Sequence, residues 1–234
     1  MLTCANCGLE SPDSFRYCPA CASPLSRELA PMREERKVVT VLFADLVGFT
    51  SRSEQLDPED VRAVLAPYHA RLREELERRG GTVEKFIGDA VMAVFGAPVA
   101  HEDDPERAVR AALAIRSWVV DEQAELQVRI GVNTGETIVN LTARLAEGEG
   151  MVAGDVVNTA ARLQSAAPVN GILVGAQTYE ATKSAIDYED ATPVSAKGKS
   201  EPVPAWPVRQ ARSRFGVDVA QAARTPLVGR DGDV

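Results

Sequence analysis

The order of sequence elements between residues 37 and 141 predicts an α+β fold. Its core is ferredoxin-like, strand–helix–strand–strand–helix–strand with additions, and a small cysteine-rich segment precedes it. Three observations predict this. Short apolar runs alternate with segments of helical period. Two of those runs meet at a Gly88-Asp89 hairpin. All four cysteines fall within the first 21 residues, which rules out a disulfide framework spread over the chain.

The chain opens with Cys4-Ala-Asn-Cys7 and Cys18-Pro-Ala-Cys21. Each C-x-x-C knuckle turns tightly enough to aim two thiolates at one point, and two knuckles complete a tetrahedral zinc shell. Phe15 and Tyr17, the largest apolar groups between the knuckles, cannot hold a fold alone, so metal must supply most of the folding free energy. Two disulfides or a redox pair are the alternatives; a redox pair normally opens a helix of a larger fold, and none follows here. The expectation is a zinc ribbon over residues 1–24 with one structural Zn²⁺ on Cys4, Cys7, Cys18 and Cys21. A mixed-charge linker over 25–36 follows.

The main domain is expected over residues 37–210. Lys37–Asp45 reads as a strand, apolar enough for a central position. Asp57-Pro58-Glu59-Asp60 supplies an N-cap, a proline at the first helical position and an acidic first turn; Val61, Val64, Leu65, Tyr68, Leu72 and Leu76 then recur at helical spacing up to Gly80. Thr82–Ile87 and Ala90–Phe95 are hairpin strands. A second helix opens at Asp104-Pro105. Strands are expected over 126–134, 136–141 and 171–174, helices over 154–166 and 177–185, and strand pieces around 196–208.

Three clusters carry candidate chemistry. Asp45 closes an apolar strand, and the turn at Gly48-Phe49-Thr50 offers backbone amides to a phosphate. Asp89 sits in a hairpin four residues after Lys85, and neighbouring strands could bring it beside Asp45 to hold two divalent cations. Singly, Asp45 also fits a turn cap and Asp89 an ordinary hairpin residue. Asn158 and Arg162, four apart, share a helix face suited to hydroxyls and phosphate, or merely to each other. His69 and His101 belong to no spaced ligand cluster and read as solvated or packed side chains.

The strings FADLVGFT, EKFIGDAVMAVFG and GDVVNTAARL, in this order, resemble the signature blocks of class III adenylate and guanylate cyclases over about residues 37–209. The resemblance implies the class III cyclase fold and conversion of ATP, with GTP as the alternative, to the cyclic nucleotide and pyrophosphate. It implies two Mg²⁺ or Mn²⁺ per site on Asp45, the adjoining Leu46 and Asp89. Lys85 takes the place of the base-reading lysine, with Gly48, Phe49 and Thr50 on the substrate. Asn158 orients the ribose, Arg162 meets the α-phosphate, and Lys197 or Lys199 contacts the distal phosphates. The family's site forms between two subunits, so a homodimer is implied, with metal ligands from one copy and Lys85, Asn158 and Arg162 from the other. Seven residues before Asn158, where adenylate cyclases carry aspartate or threonine, stands Met151, which bears on base selectivity and on activity itself. A degenerate domain that binds nucleotide and regulates an attached output is therefore the competing reading. A diguanylate cyclase would need a Gly-Gly-Asp/Glu-Glu-Phe turn, and Ile87-Gly88-Asp89-Ala90 is not one.

A net charge of -8 leaves no footprint for nucleic acid or an anionic membrane, and no apolar run approaches the roughly 18–20 residues that span a bilayer. The N-terminus lacks a signal-peptide layout, so the expected location is cytoplasmic. In the tail, 211–234, Thr225-Pro-Leu-Val-Gly229-Arg230 resembles the entry to an ATPase domain, read either as the front of a longer protein or as a disordered end.

Overall fold

A computed structural model describes residues 2–4, 6–12, 15–23, 25, 34–123, 125–143, 150–194 and 202–212. Lys197, Lys199 and the Thr225–Arg230 motif lie outside the described residues. The chain forms two compact units, Met1–Arg33 and Glu34–Val234.

In the first unit, β1 (Leu2–Thr3) pairs antiparallel with β2 (Glu10–Ser11). Each knuckle is closed by a backbone bond back to its first cysteine, Gly8 N–H to Cys4 at 2.8 Å and Ala22 N–H to Cys18 at 2.9 Å. The described interior is Cys4, Cys18 and Leu25, while Phe15 and Tyr17 face solvent. So small an apolar centre cannot offset the chain entropy of folding by itself.

The second unit begins with β3 (Glu34–Leu46), followed by α1 (Phe49–Ser53), α2 (Pro58–Glu77), β4 (Thr82–Ile87), β5 (Ala90–Phe95), α3 (Asp104–Glu122) and β6 (Val128–Asn140). Then come α4 (Asp155–Ala166), β7 (Gly171–Gly175), α5 (Ala176–Thr182), β8 (Ile186–Tyr188), β9 (Thr192–Val194) and β10 (Val203–Ala211). The strands run β4-β5-β3-β6-β7-β10-β8, with β9 on β10. The first four carry the ferredoxin-like order, so the expected α+β core with additions is present.

β3 is apolar because both its faces are covered. Leu42, Ala44 and Leu46 join Tyr68, Leu72 and Leu76 of α2 and Val109, Ala112 and Ile115 of α3 in one core. Val39 and Val41 join Val156 and Ala160 of α4 in a second, with Met92, Val94 and Met151. Each valine, leucine, isoleucine or methionine among them, taken from water, contributes about 1.5–3 kcal/mol.

Several elements differ from the sequence expectation: the helix expected over 177–185 ends at Thr182, and the three-residue strands β8 and β9 are too short to carry a pattern of their own. The strands expected over 126–134 and 136–141 are one, β6, because an equally long β3 pairs with it without a break from Glu34↔Asn140 to Leu46↔Val128. That ladder also draws Glu34, Glu35 and Arg36 into β3. The short helix α1 has no apolar period of its own; it is entered through Gly48 at φ 69° and anchored by buried Phe49. Glycine adopts that left-handed backbone without strain.

Candidate active site

Register places the two candidate aspartates together. Ala44 pairs with Val91 and Ile87 with Ala90, so the Gly88-Asp89 turn lies at the same end of the strands as Asp45, which ends the apolar run of β3. His69 of α2 fixes this turn, its Nε2–H donating to the Gly88 carbonyl at 3.0 Å while its ring lies 4.2 Å from that of Phe86. Burial, then the Asp89 charge and a hydrogen bond with Asp89, push the Asp45 carboxyl up to about 6. Gln164 acts in the opposite sense, its Nε2 donating to Asp45 Oδ2 at 3.3 Å. Behind the pair lies Tyr68, fully buried with no hydrogen-bond partner for its hydroxyl; burial and the charges of both aspartates push its phenol up.

Two carboxylates within hydrogen-bonding reach of each other repel when ionised, and a divalent cation between them removes that penalty. The donor set is all oxygen, which suits Mg²⁺ or Mn²⁺. The residues present therefore fit such ions. Leu46 can take part only through its backbone, since its side chain is buried in the core.

The third cluster rides on α4. Thr137 of β6 donates to the Ala153 carbonyl at 2.6 Å and Asn133 to the Val156 carbonyl at 3.1 Å, which sets the start of the helix on the sheet. Asn158 is exposed and Arg162 partly so, on one face. Gln164 lies about 200° round the helix from Arg162, so the face that meets Asp45 is not the face that carries Asn158 and Arg162.

The remaining sequence candidates scatter. Lys85 is exposed on β4. Thr50 is exposed at the start of α1, whose first turn leaves backbone amides without helical partners, but the Phe49 side chain packs into the core. Met151 is 5% exposed, inside the apolar cluster under α4. Glu84, the residue between register partners Val83 and Lys85, is buried, and burial pushes its carboxyl up. His101 is held by Asp104, with its Nδ1 3.2 Å from the carboxylate. Gln164, His69 and Tyr68 escape sequence reasoning, since each acts through a contact that no spacing encodes.

In the first unit the four thiol sulfurs lie within 4.8 Å of one another, with Cys4–Cys21 and Cys7–Cys18 at 3.5 Å. A tetrahedral Zn–S shell has sulfur–sulfur edges of about 3.8 Å, whereas a disulfide needs about 2.05 Å. The cysteines are free and arranged as a metal-chelating cluster.

The model of the adenylate and guanylate cyclase catalytic domain matches residues 32–206. The chain belongs to this family. Among solved structures it is similar to the adenylyl cyclase CyaB from P. aeruginosa, with TM-score 0.71 and 33% identity over 79% of this chain and 98% of that one. It is similar also to the guanylyl cyclase Cya2, with TM-score 0.68 and 32% identity over 79% and 98%. Adenylate cyclase 1 of Rhizobium meliloti is 30% identical over 70% of this chain. An uncharacterized protein of Mycobacterium tuberculosis is 37% identical over 61% of it. The matched part is 26% of the length of each of these curated relatives. The cyclase domain thus comes with an N-terminal cysteine cluster able to chelate a metal, and among the described residues no helix is long and apolar enough to cross a membrane.

Proposed function

We propose that this chain cyclises a purine nucleoside triphosphate, ATP with GTP as the alternative, and releases pyrophosphate at a site shared by two copies of itself. The observation that carries this is the Asp45–Asp89 pair, Asp45 partly exposed and Asp89 buried, the two repelling each other beside a helix whose other face presents Asn158 and Arg162. Metal carboxylates and transition-state groups looking different ways from one protomer are what a head-to-tail pair would reunite.

Asp45 and Asp89 hold the divalent cations, which when bound supply Lewis acidity toward the 3′-hydroxyl and the triphosphate. Lys85, a donor only, serves a base acceptor. Asn158 orients the ribose, so the hydroxyl stands in line with the α-phosphorus. Arg162 neutralises charge that develops on the α-phosphate, where a fixed guanidinium needs no reorganisation. The distal phosphates fall to Lys197 or Lys199 on sequence grounds alone. The cysteine cluster takes one structural Zn²⁺.

The second reading, a nucleotide-binding regulatory module, is favoured by one observation: Met151 is buried and apolar where the base would need a polar partner. Complementation separates the two. Asp45→Ala and Arg162→Ala homodimers should each be nearly inactive, and their mixture should regain activity in heterodimers that keep one whole site. A mixture that stays inactive while heterodimers demonstrably form rejects the shared site.

A further inference from the structure

Helix α4 faces two ways. From one side it offers Asn158 and Arg162. From the other, Gln164 donates to Asp45 of the same chain at 3.3 Å. The height of Gln164 is fixed by the sheet, because α4 touches β6 backbone to backbone at Gly131. A Cβ there would stand 2.2 Å from the Gln164 nitrogen and 2.4 Å from the Ala160 oxygen. Gly131 pairs with Phe43, two residues before Asp45 on β3, so the helix is seated directly beside the carboxylate it holds. The Asp45 carboxylate thus meets an amide donor carried by a helix whose seat on the sheet cannot shift.

We propose that Gln164 is a positioning residue for the metal carboxylate Asp45, and that it serves the opposite site from the one served by Asn158 and Arg162 of its own helix. One α4 then contributes to both sites of the dimer. The proposal rests on the shared-site reading above, and it adds a residue, a direction of action and a physical link between the two sites. A carboxylate left without its amide donor is less well aimed, and its ions are held less tightly.

The test is where the substitution matters. Gln164→Met keeps the volume and the helix propensity and removes the donor. In the Asp45→Ala/Arg162→Ala heterodimer the working site takes Asp45 from the Arg162→Ala chain and Arg162 from the Asp45→Ala chain. Placed on the Arg162→Ala chain, Gln164→Met should raise the Mn²⁺ concentration for half-maximal activity at least about fivefold more than when placed on the Asp45→Ala chain. Equal penalties on the two chains would reduce Gln164 to general support of the helix and overturn the proposal. Independently of turnover, the paramagnetic-resonance signal of free Mn²⁺ in nucleotide-free protein should report binding about three- to tenfold weaker in Gln164→Met than in wild type. Unchanged binding there also overturns it. If instead the parent heterodimer makes no product, the shared site is what has failed, and the Mn²⁺ titration still decides whether Gln164 holds Asp45.

Discussion

Replacing Gly131 by alanine should damage both the fold and the site through one movement. The added methyl would meet the Gln164 nitrogen at 2.2 Å, the Ala160 oxygen at 2.4 Å and the Gln164 Cα at 2.8 Å. All three belong to the α4 backbone, so no side chain can swing aside. Reaching an ordinary contact near 3.4 Å requires the helix to lift by about 1 Å. Forced overpacking of this kind costs about 1–3 kcal/mol. In a domain of this size that lowers the melting temperature by roughly 3–10 °C. Asn158 and Arg162 move with the helix, and a displacement of about 1 Å at catalytic groups can reduce turnover about a hundredfold. Gly135→Ala is the control: its nearest neighbour is the Val156 Cγ2 at 3.3 Å, a side-chain atom that can yield, so its effect should stay below about 1 kcal/mol. Calorimetry and turnover on both variants decide the matter. A Gly131→Ala protein with wild-type melting and turnover would refute the seating of α4 on β6.

Four further outcomes are expected. Elemental analysis of reduced, metal-supplied protein should find one zinc per chain, with the metal lost in Cys18→Ser and cyclase activity retained when residues 1–24 are deleted; a metal-free cluster contradicts the first. Because the folded carboxyl of Asp45 is raised to about 6, above its ordinary value, its contribution to the stability of the metal-free fold is fully present below about pH 4 and is lost as pH rises through about 6. Excess Mg²⁺ or Asp89→Asn should flatten that trend in melting experiments, and a trend unaffected by either contradicts the mutual repulsion. Since Met151 is buried among apolar side chains, Met151→Leu should cost less than about 1.5 kcal/mol and Met151→Asp about 3 kcal/mol or more, read by denaturant unfolding. With only Lys85 to read the base, wild type should favour ATP over GTP by a factor of about ten or less in kcat/KM, one hydrogen bond's worth.

The strand and helix order was legible because β3 and β5 hold apolar runs of strand length, β4 and β5 flank a Gly-Asp turn, and α2 and α3 carry a helical period opened by Asp-Pro. The continuity of β6 through Gly135 was not, since it depends on the long-range partner β3 and no local signal reports that. At the site, Asp45 and Asp89 stood out as acidic residues ending apolar strands, and register then brought them together. Gln164 reads as one more polar residue on an amphipathic helix; its meaning comes from a contact 119 positions away in the chain. Met151 adds a fact that no motif position carries: its side chain is buried in the apolar cluster under α4. His69 has no spaced ligands near it in the sequence, and what it binds is a backbone carbonyl, which no side-chain pattern announces.

The measurement that bears most directly on the central claim is product analysis. Purified protein incubated with Mn²⁺ and either ATP or GTP should yield the cyclic nucleotide and equimolar pyrophosphate, and Asp45→Ala should yield neither. Folded wild-type protein that binds Mn²⁺ and nucleotide but forms no cyclic product from either would contradict catalysis and leave a regulatory nucleotide-binding domain in its place.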